Sequence, residues 1–127
     1  MGRSSNKRSN LMEEYYYIIS LKHTKAKDSI FTFWGPGDAG YMYRKEQAGI
    51  YSETLVDKNK DYYNNPESTL AVSNKKIKDM WSKVKLYGAE TVVLLNNSTN
   101  RKILGITLKQ LKEGKTDIRK SDWVVIK

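Results

Sequence analysis

The chain has 127 residues, of which 39% are hydrophobic and 29% charged, with a net charge of +9 and no cysteine. A length of this order suits one domain with its own core. The missing cysteine excludes structural disulfides, thiolate nucleophiles and cysteine-ligated zinc, in keeping with a reducing cytoplasm. No apolar run approaches the ~20 residues that span a bilayer, so no membrane partner is expected.

In chain order, MGRSSNKRSN is polar and lacks the apolar stretch of a signal peptide. Residues 1–11 are expected to form a flexible basic tail and residues 12–127 a single domain. YYYIISL (15–21) is rich in aromatic and β-branched residues and predicts a strand. KHTKAKD (22–28) is a polar connection to a second strand, SIFTFW (29–34). It is too short for a parallel crossover, so the pair should be antiparallel. GPGDAG (35–40) interrupts the ladder, because Pro36 has no N–H and glycines permit positive φ. GYMY (40–43) resumes a short strand, and RKEQAG (44–49) reads as one helical turn closed by Gly49.

Residues 52–68 are polar, with turn chemistry at Asn65–Pro66, and are expected to be a long mobile loop. TLAV (69–72) predicts a strand. SNKKIKDMWSKVKLYG (73–88) predicts the main helix: Ser73 or Asn74 caps it, Ile77, Met80, Trp81 and Val84 share a face, and Gly88 ends it. ETVVLLNN (90–97) reads as a buried strand. NRKILG (100–105) and TLKQLKEG (107–114) read as short helices, the second capped by Thr107, and DWVVIK (122–127) as a final strand. The expected class is α+β: a small antiparallel sheet with one main amphipathic helix packed on it and short C-terminal helices.

Charge is unevenly spread. Residues 11–72 carry seven basic and nine acidic groups, whereas residues 73–127 carry thirteen basic and five acidic groups. A positive field of that kind gathers phosphates and speeds their capture. Catalytic signatures are lacking: the single histidine, His23, has no histidine or cysteine partner for a metal, and no GxSxG elbow, P-loop or GxGxxG occurs. The expectation is a binding protein that is not an enzyme and uses no cofactor or metal.

The stretch FTFWGPGDAGYMYRKEQAGIY (31–51) carries the functional expectation. Trp34, Tyr41, Tyr43 and Tyr51 would offer ring faces while the glycines let backbone approach a ligand. Lys22, Arg44, Lys45 and Arg101 would meet phosphates, and His23 would add a hydrogen bond that varies near neutral pH. A base stacked on an aromatic side chain gains about 1–3 kcal/mol. Each ring alone is better explained by core packing, and the glycines by tight turns; the functional expectation rests on the cluster as a whole.

Two resemblances follow from these residues. ILGITLKQLKEGK (103–115) is similar to the LGIS…LIKEGK segment of excisionase-like winged-helix DNA binders, with about one helical turn less between Gly105 and Glu113 than their recognition helix needs. More broadly, the ISLKHT strand resembles that of small uncharacterised proteins of bacteriophages and prophages. So do a W-x-P-x-x-x-GY turn formed here by Trp34, Pro36, Gly40 and Tyr41, and the AGxY element Ala48, Gly49, Tyr51. That resemblance implies a phage setting and a place in the bacterial host cytoplasm. In that setting the expected role is counter-defence: sequestering a nucleotide-derived immune signal, such as a cyclic oligonucleotide or a cyclic ADP-ribose-type molecule, without cleaving it. A homo-oligomer is expected. The alternatives are a nucleic-acid-binding module using the C-terminal basic segment, and an inhibitor that binds a host defence protein.

Overall fold

Strand β1 (Tyr15–Ser20) is the centre of the larger sheet. The computed structural model describes residues 13–126, so the expected tail, residues 1–11, lies outside the described residues. Along one edge β1 pairs with β5 (Thr69–Ser73) in the register Tyr16↔Ser73 to Ser20↔Thr69. Its other edge is shared. β2 (Phe33–Trp34) pairs at Ile19↔Phe33 and β4 (Tyr51–Ser52) at Tyr16↔Tyr51. β3 (Tyr41–Met42) extends the sheet beyond β2 through the GPGDAG turn. A second, three-stranded antiparallel sheet has the order β7-β6-β8, from Ala89–Val93, Ser82–Leu86 and Trp123–Val125. The protein is therefore α+β, as its composition and patterning led us to expect.

Alternation along β1 divides the interior. Tyr17 and Ile19 point to a core with Phe31, Phe33, Ile77 and Leu94. Ile18 points to the opposite face, where it meets Tyr51, Val56 and Tyr63. The smaller sheet closes over Ile30, Val84, Leu86, Val93 and Ile118. The two sheets are joined at residues 28–31: Phe31 N–H donates to Leu94 O at 2.9 Å and Ser29 N–H to Ile118 O at 2.9 Å. The buried Asp28 carboxylate accepts from the backbone N–H groups of Lys25, Asp117 and Ile118. Three such bonds satisfy a charge that would otherwise be costly to bury.

Two expectations are corrected. Residues 73–88 are not one helix: Asn74–Ile77 form a single turn, α3, capped by the Ser73 side chain, and the chain then becomes strand β6. In SKVKL the lysines are exposed while Val84 and Leu86 are buried, a period of two. Tyr87 and Gly88 both take positive φ, 51° and 84°, and make the two-residue turn of a β6–β7 hairpin. The helical spacing of Ile77, Met80, Trp81 and Val84 is coincidental, because the first three serve one core and Val84 another. Residues 52–68 are likewise no extended loop. They contain α1 (Glu53–Lys58), capped by Ser52 Oγ, and α2 (Lys60–Tyr63), which seat Val56 and Tyr63 on the sheet.

Near the C-terminus, α4 (Ser98–Leu104) ends at Gly105 in the left-handed conformation. The next expected helix is only a 3-10 turn, Leu108–Gln110, with the Thr107/Gln110 capping box in place. Such a turn offers no recognition helix of the excisionase kind.

At Gly49 two backbone segments pass very close to each other. A Cβ there would lie 2.6 Å from Gly35 O and 2.8 Å from Gly35 C, backbone atoms that cannot yield. Gly49→Ala is expected to cost about 1–3 kcal/mol through this overlap, read as a lower urea midpoint with an unchanged slope.

Candidate functional site

Two concavities lie on opposite faces of the larger sheet. The first, about 560 Å³, is lined by Tyr15, Tyr17, Lys45, Asn74, Lys75, Lys78, Asp79 and Trp81. Tyr15 and Tyr17 reach it by alternation from β1. Asn74 Oδ1 accepts the Tyr15 N–H at 3.0 Å and so anchors α3, with Lys75, to the start of the strand. The Trp81 ring packs on Tyr17 and Phe33 at centroid distances of 5.2 and 5.4 Å. Lys45 Nζ stands 5.2 Å from the Trp81 ring centre.

Lys45 is held there by its neighbours. Arg44 Nη2 donates to Leu86 O at 3.2 Å, and Thr91 Oγ1 donates to Glu46 Oε1 at 2.8 Å, which pins the 3-10 turn Lys45–Gln47 against the smaller sheet. The Thr91 hydrogen bond is the main reason that the Glu46 carboxyl titrates below its usual range. Three ammonium groups thus face one carboxylate around an aromatic floor. Among the described residues the one ion pair is Lys25–Asp117, at 2.7 Å, and it lies elsewhere.

The second concavity is smaller, about 230 Å³, and is lined by Ser20, Lys22, His23, Trp34, Tyr41, Asp61, Tyr62, Ser68 and Thr69. The rings of His23 and Tyr41 stack at 3.7 Å and 23°, and Trp34 meets Tyr62 edge-on at 5.2 Å. His23 is fixed by its turn. Ser20 Oγ and His23 Nδ1 share a hydrogen bond of 2.8 Å, and Thr32 Oγ1 donates to His23 O at 3.0 Å. Burial first, then the charges of Lys112, Lys22 and Lys25, lower the His23 pKa from its ordinary 6.5.

The structure brings Lys22, His23, Trp34 and Tyr41 together in this smaller slot and places Lys45 in the basic hollow. It does not bring the other expected residues to either. Tyr51 is only 3% exposed; its hydroxyl donates to Gly35 O and accepts from the Asp38 N–H, so it braces the GPGDAG turn from inside. Tyr43 packs against the core of the smaller sheet. Arg44 is engaged with Leu86 O, as above. Arg101 Nη1 donates to Asn96 Oδ1 at 2.7 Å, and Asn97 caps Asn100, so the Asn-rich turn is satisfied internally.

Sequence reasoning missed Tyr15, Tyr17, Lys75, Lys78 and Trp81 as site residues because a helix over 73–88 would have buried Trp81 and dispersed the lysines. The alternation of KVKL before Tyr-Gly was the available signal. Asp61 and Tyr62 were hidden by the loop reading of 52–68.

No protein family, curated protein or solved structure matches the chain. Among the described residues no helix is long and apolar enough to cross a membrane, and no cluster of three or more His, Asp or Glu side chains is placed to hold a metal ion.

The lowered His23 pKa has a signed consequence. In the window below pH 6.5 the unfolded chain takes up this proton before the folded one, so stability falls as pH falls through it. The melting temperature of the wild-type chain is expected to decline relative to His23→Gln between pH 7.5 and pH 5.5, measured by thermal scans of both proteins. Parallel curves would show that His23 titrates alike in both states.

Proposed function

We propose that the protein captures an anionic, base-bearing small molecule in the basic hollow and holds it intact. As a phage-encoded counter-defence protein, it would sequester a nucleotide-derived bacterial immune signal of the cyclic oligonucleotide or cyclic ADP-ribose type. One observation carries the reading: the Lys45 ammonium stands 5.2 Å from the Trp81 ring centre, in a hollow also rimmed by Lys75 and Lys78.

Magnitudes favour exchange of that contact for a ligand. A cation–π contact at an exposed site is worth about 0.5–1 kcal/mol, whereas a stacked base gains about 1–3 kcal/mol. A phosphate then draws Lys45 into a charge-assisted bond, the stronger kind. The hollow's 560 Å³ falls within the usual range of ligand sites, roughly 300–1,000 Å³. Ammonium groups and rings bind a nucleotide without supplying a nucleophile. The proposed oligomer would add copies of this site, and the proposed setting rests on the resemblance of the ISLKHT strand and the W-x-P-x-x-x-GY turn to phage proteins.

The test is a thermal-shift and calorimetric screen against cyclic dinucleotides, cyclic ADP-ribose isomers and linear mononucleotides. At least one should raise the melting temperature and be recovered unaltered after the protein is denatured. Lys75→Met and Lys78→Met should each weaken binding about tenfold or more, the loss of one charge-assisted hydrogen bond. Recovery of a cleaved ligand would make the protein an enzyme. Steeply salt-dependent binding of DNA or RNA with no response to small nucleotides would favour the nucleic-acid alternative. Co-purification with a host defence protein, with small nucleotides ignored, would favour the inhibitor.

A further inference from the structure

On the opposite face of the sheet, we infer that the slot between Tyr41, Trp34 and Tyr62 is a second binding site, which takes one guanine-type base, edge-on to Asp61 and Lys22. The rings argue for a flat ligand. Tyr41 and Tyr62 are 52% and 55% exposed, which leaves ring surface open to a ligand. Tyr41 is backed by the His23 ring at 3.7 Å, and Tyr62 leans on Trp34 at 5.2 Å, so both are held in position before any ligand arrives. Preorganised rings of this kind lose little freedom when a base stacks on them.

Size restricts the choice. At about 230 Å³ the slot lies below the range typical of drug-sized ligands and suits one fused ring system, not a molecule with several phosphates. Charge restricts it further. The lining carries one ammonium, Lys22, and one carboxylate, Asp61, and the other side chains are neutral hydroxyls and rings, with His23 kept largely uncharged near neutral pH. The wall therefore offers a net anion fewer ammonium groups than the basic hollow does.

A neutral edge with both donors and an acceptor gains on both sides. Guanine presents adjacent ring and amino N–H groups, which a carboxylate accepts together, and a neighbouring carbonyl, which an ammonium donates to. Adenine offers the carboxylate an amino group flanked by ring nitrogen lone pairs and has no carbonyl for the lysine. The base could belong to a free nucleoside or to a single strand, and the chemistry of the slot is the same for both.

The three tryptophans, Trp34, Trp81 and Trp123, make the test site-specific. In the full chain with Trp81→Phe and Trp123→Phe, Trp34 is the sole indole fluorophore. Guanosine should quench it saturably, and adenosine should bind about tenfold or more weaker, the discrimination a paired edge provides. Asp61→Asn and Lys22→Met change exposed side chains and leave the fold intact. Each should remove most of the preference for guanosine. A uridine pentamer with one central guanosine separates the sources: tighter binding than guanosine indicates a strand, equal binding a free nucleoside.

Equilibrium dialysis of labelled guanosine against the unaltered chain and its D61N form gives the same comparison without touching a tryptophan. Absence of saturable guanosine binding in both assays overturns the inference, as does binding that neither distinguishes adenosine nor responds to D61N. Lys75→Met and Lys78→Met should leave guanosine binding unchanged, so failure here is separate from failure of the basic hollow.

Discussion

Strand β1 has partners on both of its edges, and this double pairing dictates which residues can face a ligand. With β5 on one edge and β2 and β4 sharing the other, the register is held at Tyr16, which pairs with both Tyr51 and Ser73, and at Ile19, which pairs with both Phe33 and Leu70. A slip of one residue would carry Tyr15 and Tyr17 to the face that now holds Ile18, and Ile18 to theirs. No such slip is open to a strand whose two faces are both buried against separate cores. The two concavities therefore differ in chemistry for a simple geometric reason. Odd-numbered residues of one strand floor the basic hollow, and its even-numbered Ser20 opens onto the aromatic slot.

The smaller sheet contributes by restraint. Its strands line neither concavity, yet Leu86 and Thr91 grip both flanks of Lys45 through Arg44 and Glu46. A lysine carries roughly 2 kcal/mol of side-chain rotamer entropy, and fixing the backbone beneath it limits where the ammonium can go. Asp28 plays the matching part at the junction of the sheets, because its three backbone N–H donors come from its own turn, at Lys25, and from the distant residues 117 and 118. The hydroxyl of Tyr63 donates to Asp38, and burial with that carboxylate raises its pKa to about 12, so the GPGDAG turn remains tied to α2 across the ordinary pH range.

How much of this was legible in the sequence depended on whether a single local signal spoke for each segment. β1, the first antiparallel pairing, the turn after Trp34, the strand expected at 69–72 and the helix before Gly105 all had unopposed signals and lie close to where the residues imply. Residues 73–88 carried two. A capped apolar face argued for a helix, and alternation ahead of Tyr-Gly argued for a hairpin. Val84 resolved it by packing under the smaller sheet, a tertiary choice that no local propensity reveals. The candidate site divided along the same line. Lys22, His23, Trp34 and Tyr41 lie close in sequence or on paired strands and meet in one slot. Tyr51 looked like a ring available for stacking, but AGxY is a bracing element whose hydroxyl is buried against Gly35 O.

The proximity of cations to aromatic rings therefore has two meanings in this molecule, and geometry separates them. Arg44 and Arg101 satisfy carbonyl oxygens of their own fold, so their charge is already in use. Lys45 rests over Trp81, a contact weak enough to be displaced, with Lys75 and Lys78 beside it. In the slot the lining sets one lysine, Lys22, against one carboxylate, Asp61, and the proposed recognition rests on the shape and edge of a neutral ring. A chain of net charge +9 thus attracts phosphates broadly, while the side chains that are not already committed decide where one can stay.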